Sequence, residues 1–224
     1  MAPKDSALLI DFYPSLNATS ISIPTGTSPA DAPMFVIANT MVTADKHVTA
    51  PKNYNLRVVE CRLAAAILAK KLGLTQLLAL NGPFTLKQVH EAAVKDKDLS
   101  KTFQVMIEAV EKYLEPSAYT VEKVAQVLEE SVEAVSSKYI ASIKVYTENG
   151  FKLFQRAKHV FEESERVYLF KDACLSENKD KFLKAAGDLM NASHMSCKTL
   201  FECSCAELDE LTEMCRFAAF KDIN

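Results

Sequence analysis

From about residue 53 onward, apolar side chains recur at helical spacing, and few glycines or prolines interrupt them. The stretch "LRVVECRLAAAILAKKLGL" sets Leu56, Val59, Leu63, Ala66, Ile67 and Lys70 near one stripe of a helix. Gly73 is placed to end that helix in the left-handed conformation. Thr85 with Gln88 has the spacing of a capping box, and Thr120 stands as an N-cap ahead of "VEKVAQVLEE". Residues 151–171 read as a long amphipathic helix with Phe151, Phe154, Ala157, Phe161, Val167 and Phe170 roughly on one side. A layer of four or more helices is expected. No repeat with a fixed period of about 20 to 50 residues is visible, which argues against a solenoid.

The N-terminal part is patterned differently. "ALLIDF" (7–12) and "MFVIANTMVTA" (34–44) are short apolar, partly β-branched runs, and "IPTGTSPADAP" between them has loop composition. They are expected to form two strands of a sheet, so the fold class is α+β, mostly helical with a short strand pair near the N-terminus. In 224 residues, 49% apolar content supports a substantial core. A net charge of −3 without a long Lys/Arg run speaks against nucleic acid or an anionic membrane as partner. No apolar run reaches the roughly 20 residues that span a bilayer, and the opening residues lack the pattern of a signal peptide. The expected location is cytoplasmic, where the six cysteines would be reduced thiols.

The densest chemistry lies in "NASHMSCKTLFECSCAELDEL" (191–211). Its spacing, His194-x2-Cys197-x5-Cys203-x-Cys205, does not match the paired ligands of a structural zinc site. On a helix, Cys203 and Cys205 would point about 200° apart. The better reading is a helix over about 180–201, a break, and a second helix over 205–219 capped by Ser204 with Glu207, with the cysteines packed in the core. His159 and His194 read as hydrogen-bonded structural histidines, because neither has an evident partner for acid–base catalysis. No dinucleotide, Walker, nucleophile-elbow or zinc-protease motif is present, and five glycines provide no backbone cradle for phosphates. On this basis no catalytic residue and no metal ligand is assigned.

Four stretches carry a resemblance: "VIANT" (36–40), "YNLRVVECRLAAAILAKKLGL" (54–74), "LFQRAKHVFEESERV" (153–167) and "LMNASHMSCKTLFECSCAELDEL" (189–211). Together they resemble galactokinases of the GHMP kinase superfamily, in the branch that includes fungal galactokinases and the N-acetylgalactosamine kinase. Residues 75–150 resemble the family only in being helical. The resemblance implies transfer of the γ-phosphate of Mg-ATP to the C1 hydroxyl of galactose, with ATP and Mg as cofactors and galactose or N-acetylgalactosamine as substrate. It puts Tyr54 against the sugar, while a half-buried tyrosine at a helix start is an equally good reading. It puts Asp45 and Lys46 next to the nucleotide, with Asp where the N-acetylgalactosamine kinase has Asn; a solvated loop lysine is the alternative for Lys46.

By the same resemblance, residues 1–50 correspond to a remnant of the N-terminal kinase domain, and 51–224 to the helical part of the C-terminal domain without its final glycine-rich loop and strands. The family's phosphate loop and its catalytic Asp have no counterpart in this sequence. The chain is therefore expected to look like a truncated piece of a sugar kinase and to be inactive alone. Two other readings are a non-catalytic regulator that senses galactose and ATP, and a helical interaction module. An incomplete sheet would leave an unpaired edge for a protein partner to cover.

Overall fold

The computed structural model describes residues 2–12, 15–25, 36–43, 45, 49–94, 101–145, 147–176 and 178–221. They divide into two compact units, one of Met1–Asn39 with Glu165–Met195, the other of Thr40–Ser164 with Ser196–Asn224. No described helix is long and apolar enough to cross a membrane.

The first unit carries an antiparallel hairpin of β1 (Ser6–Asp11) and β2 (Asn17–Ser22), in register from Ser6 opposite Ser22 to Asp11 opposite Asn17. Among the described residues of the expected partner strand over 34–44, no strand forms. Its residues 34, 35 and 44 lie outside the described positions, as do 26–33 of the expected loop, and 36–43 contain no strand. Met41 has φ +60, which interrupts an extended run, and Val36 and Ile37 are exposed. The segment that pairs instead is polar and largely exposed, "NATSIS", brought close by a short connection. Strand pairing satisfies backbone donors and acceptors, so proximity here outweighs apolar content. Against the hairpin, Ile21 and Ile23 pack on a small core of Cys174, Phe182 and Ala186 with Phe170 and Ala173. The Phe170 and Phe182 rings meet edge to face at 6.1 Å.

The second unit is built on α1 (Tyr54–Lys71). This helix is not amphipathic as its stripe suggested. Leu63 through Ala69 are all buried, because helices surround it, and Leu56 and Lys70 of the expected stripe are only half-buried. Its end is the expected one. Gly73 has φ +71, its N–H donates to Lys70 O at 3.2 Å, and the Leu74 N–H donates to Ala69 O at 2.9 Å. This pair of bonds is a Schellman motif, which a left-handed residue makes possible.

Short helices follow: α2 (Thr75–Leu78), α3 (Leu86–Ala93), α4 (Phe103–Tyr113), α5 (Val121–Leu128) and α6 (Val132–Val135), the last continuing into a π-turn at Ser136–Ile140. The capping box at Thr85 and Gln88 forms in both directions, and the Thr120 side chain accepts from the Lys123 N–H. The long helix α7 starts at Leu153 and ends at Cys174. Phe151 precedes it, in a two-way backbone bridge with Tyr119 at 2.8 Å each way. Leu153, Ala157 and Phe161 are buried, whereas Val167, expected on the same side, is 45% exposed.

α8 spans Lys179–Ser196, a π-turn follows at Cys197–Phe201, and α9 spans Ala206–Lys221. Ser204 does not form the expected box with Glu207. Glu202 adopts φ +53 and delays the helix start, so Cys205 O receives the first helical bond, from the Asp209 N–H. Ser204 Oγ donates to the Asp209 carboxylate at 2.7 Å instead. The cysteines differ in burial, contrary to their reading as core: Cys174 is buried, Cys61, Cys197 and Cys205 are half-buried, and Cys203 and Cys215 are exposed.

Candidate functional site

Three of the resembling stretches meet inside the second unit. On α1, Arg57 and Glu60 lie three residues apart and so share a face. Next to that face begins α7, aimed by the bridge between Tyr119 and Phe151. Gly150 makes this approach possible: its φ is +76, and a Cβ there would lie 2.6 Å from Tyr119 O. The third stretch arrives as the π-turn Cys197–Phe201 and the left-handed Glu202. A widened turn leaves carbonyls free of regular helical pairing, and here they find side-chain donors.

The result is a cluster of three cations and two carboxylates. Glu60 Oε2 receives Arg156 Nε at 2.7 Å and Arg57 Nη1 at 3.2 Å, and its Oε1 receives the Lys152 N–H at 2.7 Å. Arg156 Nη2 reaches Glu202 Oε2 at 2.7 Å, and Nη1 donates to Leu200 O. Arg57 Nε donates to Phe201 O at 2.6 Å, while Nη2 reaches Glu202 at its carbonyl and its carboxylate. Lys152 Nζ closes the set on Glu202 Oε1. Glu60 and Arg156 are each 1% exposed. Charges buried this deeply are tolerated only when their hydrogen-bonding capacity is met, as it is here.

The electrostatics follow from this packing. Burial alone would raise the Glu202 carboxyl, but hydrogen bonds from Lys152 and Arg156 outweigh it and hold the group below the usual carboxylate range. Burial, with the Arg156 charge beside it, lowers Arg57. Burial also pushes the Cys61 thiol up to about 12, with the Glu60 charge acting in the same direction. Cys61 is thus a protonated thiol at neutral pH and a poor nucleophile.

Beside the cluster opens a cavity of about 740 Å³, within the ~300–1,000 Å³ range of small-molecule sites. Val58, Phe84, Leu86, Val160 and Phe201 give it apolar walls, and Tyr54, Arg57, Arg62, Lys87 and Glu202 give it polar groups. Tyr54, the expected sugar ligand, is the first residue of α1, lines this cavity and is 73% exposed. Asp45 is exposed and does not line it; its backbone carbonyl accepts from the Thr49 N–H and Oγ1. Lys46 lies outside the described residues. His159 is buried, 2.9 Å from Ser196 Oγ and stacked on Phe201 with centroids 4.4 Å apart, so it supports the turn. A second buried histidine, His90, contacts Thr102 Oγ1 at 2.7 Å, and burial lowers its pKa.

No group of three His, Cys, Asp or Glu side chains that could hold a metal ion occurs among the described residues.

Along its length, the chain matches a galactokinase of Dictyostelium discoideum at 40% identity over 96% of its residues. The chain is similar to galactokinases. Galactokinases of Saccharomyces cerevisiae and Schizosaccharomyces pombe match at 36% and 31% identity, over 93% and 94% of the chain. It spans 43–44% of the length of these galactokinases. No protein-family model matches the chain. The galactokinase-like stretches are legible in the sequence and the ion cluster is not. The cluster's one signal there is the pair Arg57 and Glu60 inside an otherwise apolar helix, where charges require partners.

Proposed function

We propose that the chain is part of a sugar kinase of the GHMP superfamily that phosphorylates galactose or N-acetylgalactosamine at the C1 hydroxyl. What carries the reading is the match to galactokinases along nearly the whole chain, with Tyr54 at a cavity of small-molecule size. Tyr54 would lay its ring against the apolar face of the sugar and turn its hydroxyl to the polar edge. Residues 1–50 would correspond to the N-terminal kinase domain and 51–224 to the helical part of the C-terminal one. Asp45 and Lys46 would lie near the nucleotide, in a cytoplasmic enzyme.

The described residues do not by themselves fit Mg-ATP. Glu202, the cavity's carboxylate, is engaged by Arg57, Lys152 and Arg156, and Arg57 spends its guanidinium on Glu60, Glu202 and the Phe201 carbonyl. Phosphoryl transfer rests on positioned donors around the phosphates, and these engaged groups do not supply them. The contribution of these residues is to fix the turn that forms one wall of the cavity. On the hairpin, exposed Leu8 and Ile10 support a further polypeptide covering the sheet.

A chimera tests this reading. Residues 1–224 would replace the matching segment of the Saccharomyces cerevisiae galactokinase, and galactose-dependent ADP release would be measured. Activity is expected, with KM for galactose raised about tenfold by Tyr54→Ala and kcat less affected. A folded chimera without activity, or one indifferent to Tyr54, overturns it.

A further inference from the structure

The ion cluster does more than fill the interior. Its donors converge on one short segment: Arg156 holds Leu200 O, Arg57 holds Phe201 O and Glu202 O, and three cations hold the Glu202 carboxylate. That segment carries Phe201, Glu202, Cys203 and Ser204, which form one side of the cavity, with Cys61 lining it from α1. Glu202 has φ +53, a conformation that costs most side chains free energy and is natural to glycine. A glutamate at this position needs interactions that offset the cost, and its carboxylate supplies them.

We propose that Glu202 is a latch: its ion pairs with Arg57, Lys152 and Arg156 hold the 197–204 turn closed, and their release opens the cavity wall and widens access to Cys61. The latch stands independently of the kinase reading, since it rests on the geometry of this unit alone. Glu60 is the fixed half of the device. It is buried, lies on α1 and keeps both arginines in place whether or not Glu202 is engaged. Glu202 and Lys152 are 36% and 38% exposed by side chain, so this pair is the part of the cluster that water reaches. Local opening of this kind releases the turn while the enclosed helix behind it stays closed.

Cys61 reports the state of the wall. Its thiol is half-buried and lines the cavity, so a maleimide reaches it slowly while the wall is closed and faster once the wall opens. The test measures maleimide labelling of Cys61 by mass spectrometry in the wild type, Glu202→Gln and Glu202→Gly, with hydrogen exchange of the Leu63–Leu68 amides followed in parallel. Gln keeps the size of the side chain but removes the charge; Gly relieves the backbone but removes the side chain. Labelling is expected to rise on the order of tenfold in both variants while the Leu63–Leu68 amides keep wild-type protection. Wild-type labelling in either variant overturns the latch, since the turn would then be held without the charge. Labelling that rises in step with exchange at Leu63–Leu68 also overturns it, since opening would be global unfolding.

Discussion

The two units reach order by different routes. In the second, α1 is buried on every side from Leu63 to Ala69, and the charges at its N-terminal half, Arg57 and Glu60, are neutralised by residues far along the chain. In the first, a hairpin with Leu8 and Ile10 facing outward sits on a core of three buried residues, Cys174, Phe182 and Ala186. A helix enclosed by neighbours cannot lose a side chain cheaply, because every vacancy is surrounded. A hairpin with one open face can lose an outward one at little cost. The difference teaches that sensitivity to substitution follows enclosure and not hydrophobicity.

The largest effect should come from the buried charges. Glu60→Ala would leave Arg57 and Arg156 facing each other without their shared carboxylate, at a cost of ~3–5 kcal/mol in unfolding free energy. Urea denaturation of the second unit measures it, and a loss under about 1 kcal/mol, the scale of exposed pairs, would show that the cluster is as dispensable as a surface ion pair. Next in size is the contrast between two leucines. Leu63→Ala, at a position with no exposure, should cost ~2–5 kcal/mol. Leu8→Ala, on the open hairpin face, should stay within about 0.5 kcal/mol, and equal costs would break the comparison.

The smallest effect concerns pH. Glu202 has its folded pKa depressed below the usual value of 4.5, so its contribution is full above that value and is lost as pH falls through the depressed one. Wild type should therefore exceed Glu202→Gln in thermal stability at neutral pH by a constant margin that closes on acidification. A margin that instead widened toward acid would contradict the role given to the carboxylate.

What could be read from the sequence was local. The Schellman end at Gly73, the box of Thr85 with Gln88 and the cap at Thr120 each involve residues within a few positions of one another, so their chemistry is complete in a short window. Apolar runs misled where a partner decided the outcome. "MFVIANTMVTA" has strand composition, yet its described residues form no strand, while the polar "NATSIS" pairs because it can fold back on β1. Ser204 had the right spacing for a box, but the left-handed Glu202 before it moved the helix start.

By itself, the sequence determined a mostly helical chain with a strand pair, its helix ends and its likeness to galactokinases. Only the tertiary structure decided that Arg57, Glu60, Arg156 and Glu202 form one cluster, that Tyr54 faces the cavity beside it, and that α1 is enclosed. Arg156 lies 96 residues from Glu60, and Phe201 lies 144 from Arg57. No local propensity encodes such distances. They are set when burial of α1 brings the ends of distant helices together and its charges must find partners or leave the core.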